Sequence, residues 1–75
     1  MKEWYQQIDG AQLRQLRRDR MLSQVELAAL ARTTQPAISD FETNSGRLAQ
    51  HRTVRKMADA LGVEPKELLA QQESR

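Results

Sequence analysis

Cysteine is absent from this 75-residue chain, and histidine occurs once. A disulfide scaffold, a Cys-based zinc site and an iron–sulfur cluster are thereby excluded, and no metal or cofactor is expected. No stretch approaches the ~18 consecutive apolar residues of a membrane span. Met1-Lys2-Glu3-Trp4-Tyr5 lacks the apolar run of a signal peptide, so a cytoplasmic protein with no membrane partner is expected. Internal repeats, low-complexity segments and any apolar/polar alternation long enough for a strand are missing too. Nor does a nucleophile stand beside a base. Scattered carboxylates, capping Ser and Thr, and the lone His51 offer no catalytic set, so the chain is not expected to be an enzyme. His51 reads as a loop or phosphate-side residue.

What is present is a globular composition, 39% apolar and 29% charged, on a length that suits one domain, residues 1–75 with a core over about 9–70. A chain this short buries only about 60% of the surface its unfolded form exposes, so help from a second subunit is expected. Net charge is only +2, but nine of the twelve basic residues are arginine and their placement is uneven. Thr43 to Ala58 holds no acid while carrying Arg47, Arg52, Arg55 and Lys56; Arg14, Arg17, Arg18 and Arg20 form a second knot. Such asymmetry fits either a face that meets phosphate or ordinary solvated helix faces.

The periodicity is helical throughout. Asp9 with Gln12 caps a first helix over about 9–20 carrying Leu13, Leu16 and Arg17 on one face. Ser23-x-x-Glu26 opens a second over about 23–31. Thr34 caps a third that presents Ile38, Phe41 and Glu42 on one face and stops near Thr43, with Pro36 in its first turn. Asn44-Ser45-Gly46 is turn chemistry. Val54, Met57, Ala58 and Leu61 define a fourth helix ended by Gly62, and Glu64-Pro65-x-Glu67 starts a fifth before a frayed tail from Gln71. The expected class is all-α, a compact five-helix bundle. Trp4, Tyr5 and Ile8 fall at one-face helical spacing ahead of it. They either pack on the bundle or offer a sticky surface to a partner protein or second subunit.

Residues 23–43 place two short helices either side of Arg32-Thr33-Thr34, the spacing of a helix-turn-helix, with small Ala28 at the crossing and branched Ile38 as core anchor. Ser23-Gln24-Val25-Glu26-Leu27-Ala28, then Thr34-Gln35-Pro36-Ala37-Ile38-Ser39 and Glu42, resemble the phage-repressor and Cro/C1-like (XRE-type) helix-turn-helix family. Thr53 to Val63 with Glu67-Leu68-Leu69 resemble that family's fourth and fifth helices, so the likeness spans roughly 10–70. It implies a lambda-repressor-like DNA-binding domain, usually a homodimer, with the third helix in the major groove of double-stranded DNA. The chain departs from the family pattern in carrying Met21 and Arg32 where glycine is common at helix ends. The loop after Glu42 is also about two residues longer, and His51 replaces a common proline.

The expected function is that of a sequence-specific transcriptional regulator, a repressor, on a near-palindromic operator. Gln35 can pair bidentately with adenine N6 and N7, or stay solvated; Pro36 and Ala37 offer apolar surface to a thymine methyl, and Ser39 reaches a base or phosphate. Asp40 either accepts from cytosine N4 or pairs with an arginine. Gln24, at the start of the second helix, suits a phosphate. Arg47, Arg52 and Thr53 around the long loop, Arg32 in the turn, and Thr34 and Thr43 at the ends of the third helix complete the phosphate set. Glu42 shares a face with Ile38 and Phe41 at the negative end of its helix and needs a cation. Arg17 is the natural partner, a pair that the resemblance also implies. Val63, Leu68 and Leu69 are the expected dimer surface. The rival from another class is a protein-interaction module, an antitoxin or adaptor, with DNA binding secondary.

Overall fold

The computed structural model describes residues 5–44 and 47–70. Trp4, the Ser45-Gly46 step of the turn and the tail from Gln71 lie outside the described residues. Along the chain run β1 (Tyr5–Gln7), α1 (Gly10–Asp19), α2 (Gln24–Leu30), α3 (Gln35–Thr43), β2 (Leu48–Gln50), α4 (His51–Leu61) and a 3-10 turn (Pro65–Leu68). Each of the first three helices starts where its cap residue dictates. Asp9 accepts from the backbone N–H of Gln12, Ser23 and Glu26 close a reciprocal box, and Thr34 accepts from Ala37. Among the described residues no helix is long and apolar enough to cross a membrane.

Two expectations are corrected. The chain is mostly helical but not all-α, because β1 and β2 pair antiparallel with Tyr5 opposite Gln50 and Gln7 opposite Leu48. Three-residue strands are too short to show an alternation, and their stability comes from partners more than forty residues away. Tyr5 and Ile8 therefore do not share a helical face: Tyr5 is half exposed while Ile8 is wholly buried at the end of the extended segment. The fifth helix is a single 3-10 turn. Its four residues are followed by extended Leu69, which bridges Ile8, and by Ala70, whose N–H donates to the Gln7 carbonyl. Pairing with β1 competes with helix propagation there and wins. Residues 5–9 thus tie the α3–α4 connection to the C-terminal segment, since Ile8 also donates to the Arg47 carbonyl and Asp9 to that of Leu68.

The core is one cluster. Ile8, Leu13, Leu27, Ile38, Val54, Met57 and Leu68 are its largest fully buried side chains, with Ala28 at the α2–α3 crossing. Leu68 is accordingly spent on the core and is unavailable to a second subunit, while Val63 and Leu69 remain partly exposed. Gly10 opens α1 against the end of α3 so closely that a Cβ would stand 2.7 Å from the Glu42 carbonyl oxygen and nearer still to that of Phe41.

Three helices end in one hydrogen-bond pattern. Leu22 donates back to Arg17, Thr33 to Ala28 and Val63 to Ala58, each across a left-handed residue that donates three back: Met21 (φ 57°), Arg32 (φ 56°) and Gly62 (φ 72°). A side chain in this region costs about 1–2 kcal/mol, and at Met21, 90% exposed, no packing offsets it. Met21→Gly should therefore stabilise by about 0.5–1 kcal/mol after glycine's larger unfolded-state entropy is deducted, raising Tm by several degrees. Met21→Ala, which keeps the Cβ, should not. Equal melting points for the two variants would contradict the strain assignment.

Candidate nucleic-acid interface

The helical repeat brings Gln35, Pro36, Ser39, Asp40 and Thr43 along the outward side of α3, opposite the buried Ile38, Phe41 and Glu42. Ala37 differs from its neighbours, being partly buried against the core. Thr34 uses its hydroxyl on the Ala37 N–H at 3.3 Å.

Beneath this face runs a connected set of polar groups. Arg17 donates through Nε to Glu42 Oε2 (2.6 Å) and through Nη2 to Oε1 (3.1 Å), and its Nη1 reaches the Leu22 carbonyl (2.7 Å). Both side chains are largely buried. The guanidinium is held above its already high ordinary pKa, chiefly by the hydrogen bond to Glu42, with burial opposing. Gln24 Nε2 donates to Glu42 Oε1 (3.1 Å), and Gln35 Nε2 donates to Gln24 Oε1 (2.6 Å). The structure thus links Gln24 and Gln35 to each other and to the Arg17–Glu42 pair. Sequence reasoning named all four residues but missed that they form one chain, because Gln24 and Glu42 are 18 positions apart with no periodicity between them.

At the other end of α3, both carboxylate oxygens of Asp40 have a partner. Arg47 Nη1 stands 2.6 Å from Asp40 Oδ2, Asn44 donates its side-chain N–H to Oδ1, and the Arg47 guanidinium lies 6.0 Å from the Phe41 ring centroid. Of the two readings open for Asp40, the free protein adopts the arginine pair. Asn44 was not singled out in the sequence, although an amide one turn beyond an acid is a usable signal.

Arg32, Arg52 and Thr53 lie elsewhere. Arg32 borders a shallow depression with Leu30, Lys56 and Asp59, and Arg52 borders the adjoining one with Arg55, Lys56 and Asp59; Lys56 donates to the Arg32 carbonyl at 3.3 Å. Thr53 is half-buried. The basic knot on α1 is divided: Arg14 and Arg18 are exposed, Arg17 turns inward, and Arg20 braces the end of α4 by donating to the Leu61 carbonyl. No group of three or more metal-ligating side chains occurs among the described residues.

A short helix crossing a second whose outer face is polar, the two joined by a tight turn and stapled at their N-termini, is the helix-turn-helix of DNA-binding regulators. Comparison with known proteins agrees: the helix-turn-helix domain model matches residues 10–71, and the chain belongs to that family, in its Cro/C1 (XRE) branch. The fold is similar to that of the restriction-modification controller protein C.AhdI from Aeromonas hydrophila, with a TM-score of 0.73 and 35% identity over 80% of this chain and 89% of that one. No curated protein matches the chain. β1 precedes the matched residues.

Proposed function

We propose that the protein is a transcriptional repressor that binds a near-palindromic operator as a homodimer, with α3 of each copy in the major groove and residues 1–75 acting as one domain in the cytoplasm. The observation that carries this reading is the Gln24–Gln35 bond, which fixes a half-exposed amide at the N-terminus of α3, where such a helix meets base edges. The similarity to a controller protein supports a regulatory role. Gln35 is the principal base-reading residue in this proposal. Pro36, Ala37 and Ser39 assist, and Asp40 does so only if Arg47 leaves it for a phosphate. Gln24, Arg32, Thr34, Thr43, Arg47, Arg52 and Thr53 are assigned to the backbone. The Arg17–Glu42 pair is structural.

Selection of random duplexes by the purified protein at near-physiological salt tests this directly. Two inverted half-sites about one helical turn apart are expected, with one position losing its preference in Gln35→Ala. Three arginines per copy, six per dimer, should release enough counterions to lower affinity about a thousandfold between roughly 50 and 200 mM salt. A rival reading, a protein-interaction module, is favoured by exposed Tyr5 and Leu48 flanking a cleft with Leu69. Folded protein that enriches no sequence would overturn the operator-binding reading and favour that rival.

A further inference from the structure

Asp40 is the one acid on the outward side of α3, and the two groups that hold its carboxylate are held differently themselves. Asn44, which donates to Oδ1, is tied to the same helix end by its backbone N–H, bonded to the Asp40 carbonyl at 2.8 Å. It keeps the carboxylate aimed whatever Arg47 does. Arg47, whose Nη1 stands 2.6 Å from Oδ2, is fixed through its backbone: its N–H donates to the Asn44 carbonyl (3.0 Å) and its carbonyl accepts from Ile8 (2.9 Å). Its side chain is more than half exposed, and an ion pair this open to water adds little stability. The guanidinium can therefore leave Asp40 without any movement of the chain.

A duplex lying against α3 offers both members of the pair a new partner, phosphate for the guanidinium and a base edge for the carboxylate. For Arg47 the exchange is close to neutral, one anion replacing another. For Asp40 it is not. Oδ2 becomes an acceptor without a donor in the negative field of the duplex, and only a base that presents an N–H restores one. Cytosine N4 does so with no acceptor beside it on the same base edge; adenine N6 has N7 beside it, and thymine O4 and guanine O6 are themselves acceptors. The base thus decides whether Arg47 is released. We propose that Asp40 makes the Arg47–phosphate contact conditional on cytosine, so that this arginine adds affinity at the operator and none on other DNA. This rests on the reading of α3 as the helix in the major groove, and adds how a contact to the backbone comes to carry sequence information.

The test measures the salt dependence of binding by the full chain, on the selected operator and on a duplex of random sequence. Each phosphate neutralised adds about 0.9 to the slope of log affinity against log salt. Asp40→Asn keeps the shape of the side chain, and its amide accepts or donates, so it demands no donor from the base. On the random duplex it should steepen the slope by about 0.9 per bound copy and raise affinity about fivefold at 0.1 M salt. On the operator, where Arg47 already meets a phosphate, the slope should not change. Repeating the selection with Asp40→Asn should erase a cytosine preference at one position, about tenfold over thymine in wild type. Asp40→Asn combined with Arg47→Gln, which keeps the wild-type net charge, should leave the random-duplex slope at its wild-type value and lower the operator slope by about 0.9 per copy. Both positions are at the surface, so wild-type melting points are expected. No steepening in Asp40→Asn, or equal steepening on both duplexes as a plain charge effect gives, overturns the inference while leaving the DNA-binding reading intact. Folded wild-type protein that enriches no operator overturns both.

Discussion

Glu42→Ala should lose about 3–5 kcal/mol of stability, a large share of the roughly 4–11 kcal/mol that a 75-residue domain has at about 0.05–0.15 kcal/mol per residue. The loss comes less from the missing attraction than from what is left behind. Arg17 is buried on the inner face of α1, it cannot shed its proton, and two of its donors point into the space that Glu42 vacates. Gln24 loses its acceptor at the same time. Thermal and urea melts followed by circular dichroism should show Glu42→Ala largely unfolded at 37 °C, with Arg17→Ala similar. Replacing both partners together, Arg17→Met with Glu42→Leu, removes the stranded charge and fills the same volume. That double variant should fall within about 1 kcal/mol of wild type, because an ion pair exchanged for apolar packing is often neutral. A single variant that melts at the wild-type midpoint would show that the pair is solvated and carries no fold.

The elements that local chemistry dictates were legible in the sequence. Capping at Asp9, Ser23 and Thr34, the three-and-four spacing of Val54, Met57, Ala58 and Leu61, and the αL stop at Gly62 are each decided within a few residues, and the helices stand where those signals put them. The elements that failed to show depend on distant partners. β1 exists because Gln50 and Leu48 lie opposite it, and the expected fifth helix stops after one turn because Ile8 and Gln7 claim Leu69 and Ala70. The candidate site divides the same way. Residue types at the start of α3 pointed to Gln35, and helix-end electrostatics demanded a cation for Glu42. The bond from Gln24 that joins the two, and the capture of Asp40 by Arg47 from the far side of the α3–β2 connection, are tertiary facts. Charge counting was the weakest guide, since Arg17 and Arg20, two of the four arginines in the α1 knot, turned out to brace the fold.

Gly10→Ala should also destabilise, although the helix scale alone predicts the opposite. Alanine is favoured over glycine by up to about 1 kcal/mol inside a helix, and less at the first position of α1. Against this, the added methyl carbon would sit 2.7 Å from the Glu42 carbonyl oxygen and closer to that of Phe41. Both are backbone atoms of α3, so no rotamer change relieves the overlap, and the helices must separate. Overpacking of this kind costs about 1–3 kcal/mol, and here separation would also pull Glu42 from Arg17, coupling the site to the buried pair. The net expectation is a fall of about 2 kcal/mol or more, about 8–16 °C in Tm. Ala11→Gly, one residue on and exposed, reverses the propensity change without touching α3, and should cost no more than about 1 kcal/mol. A Gly10→Ala variant that melts at or above wild type would mean that α1 and α3 do not approach as closely as the capped start of α1 requires.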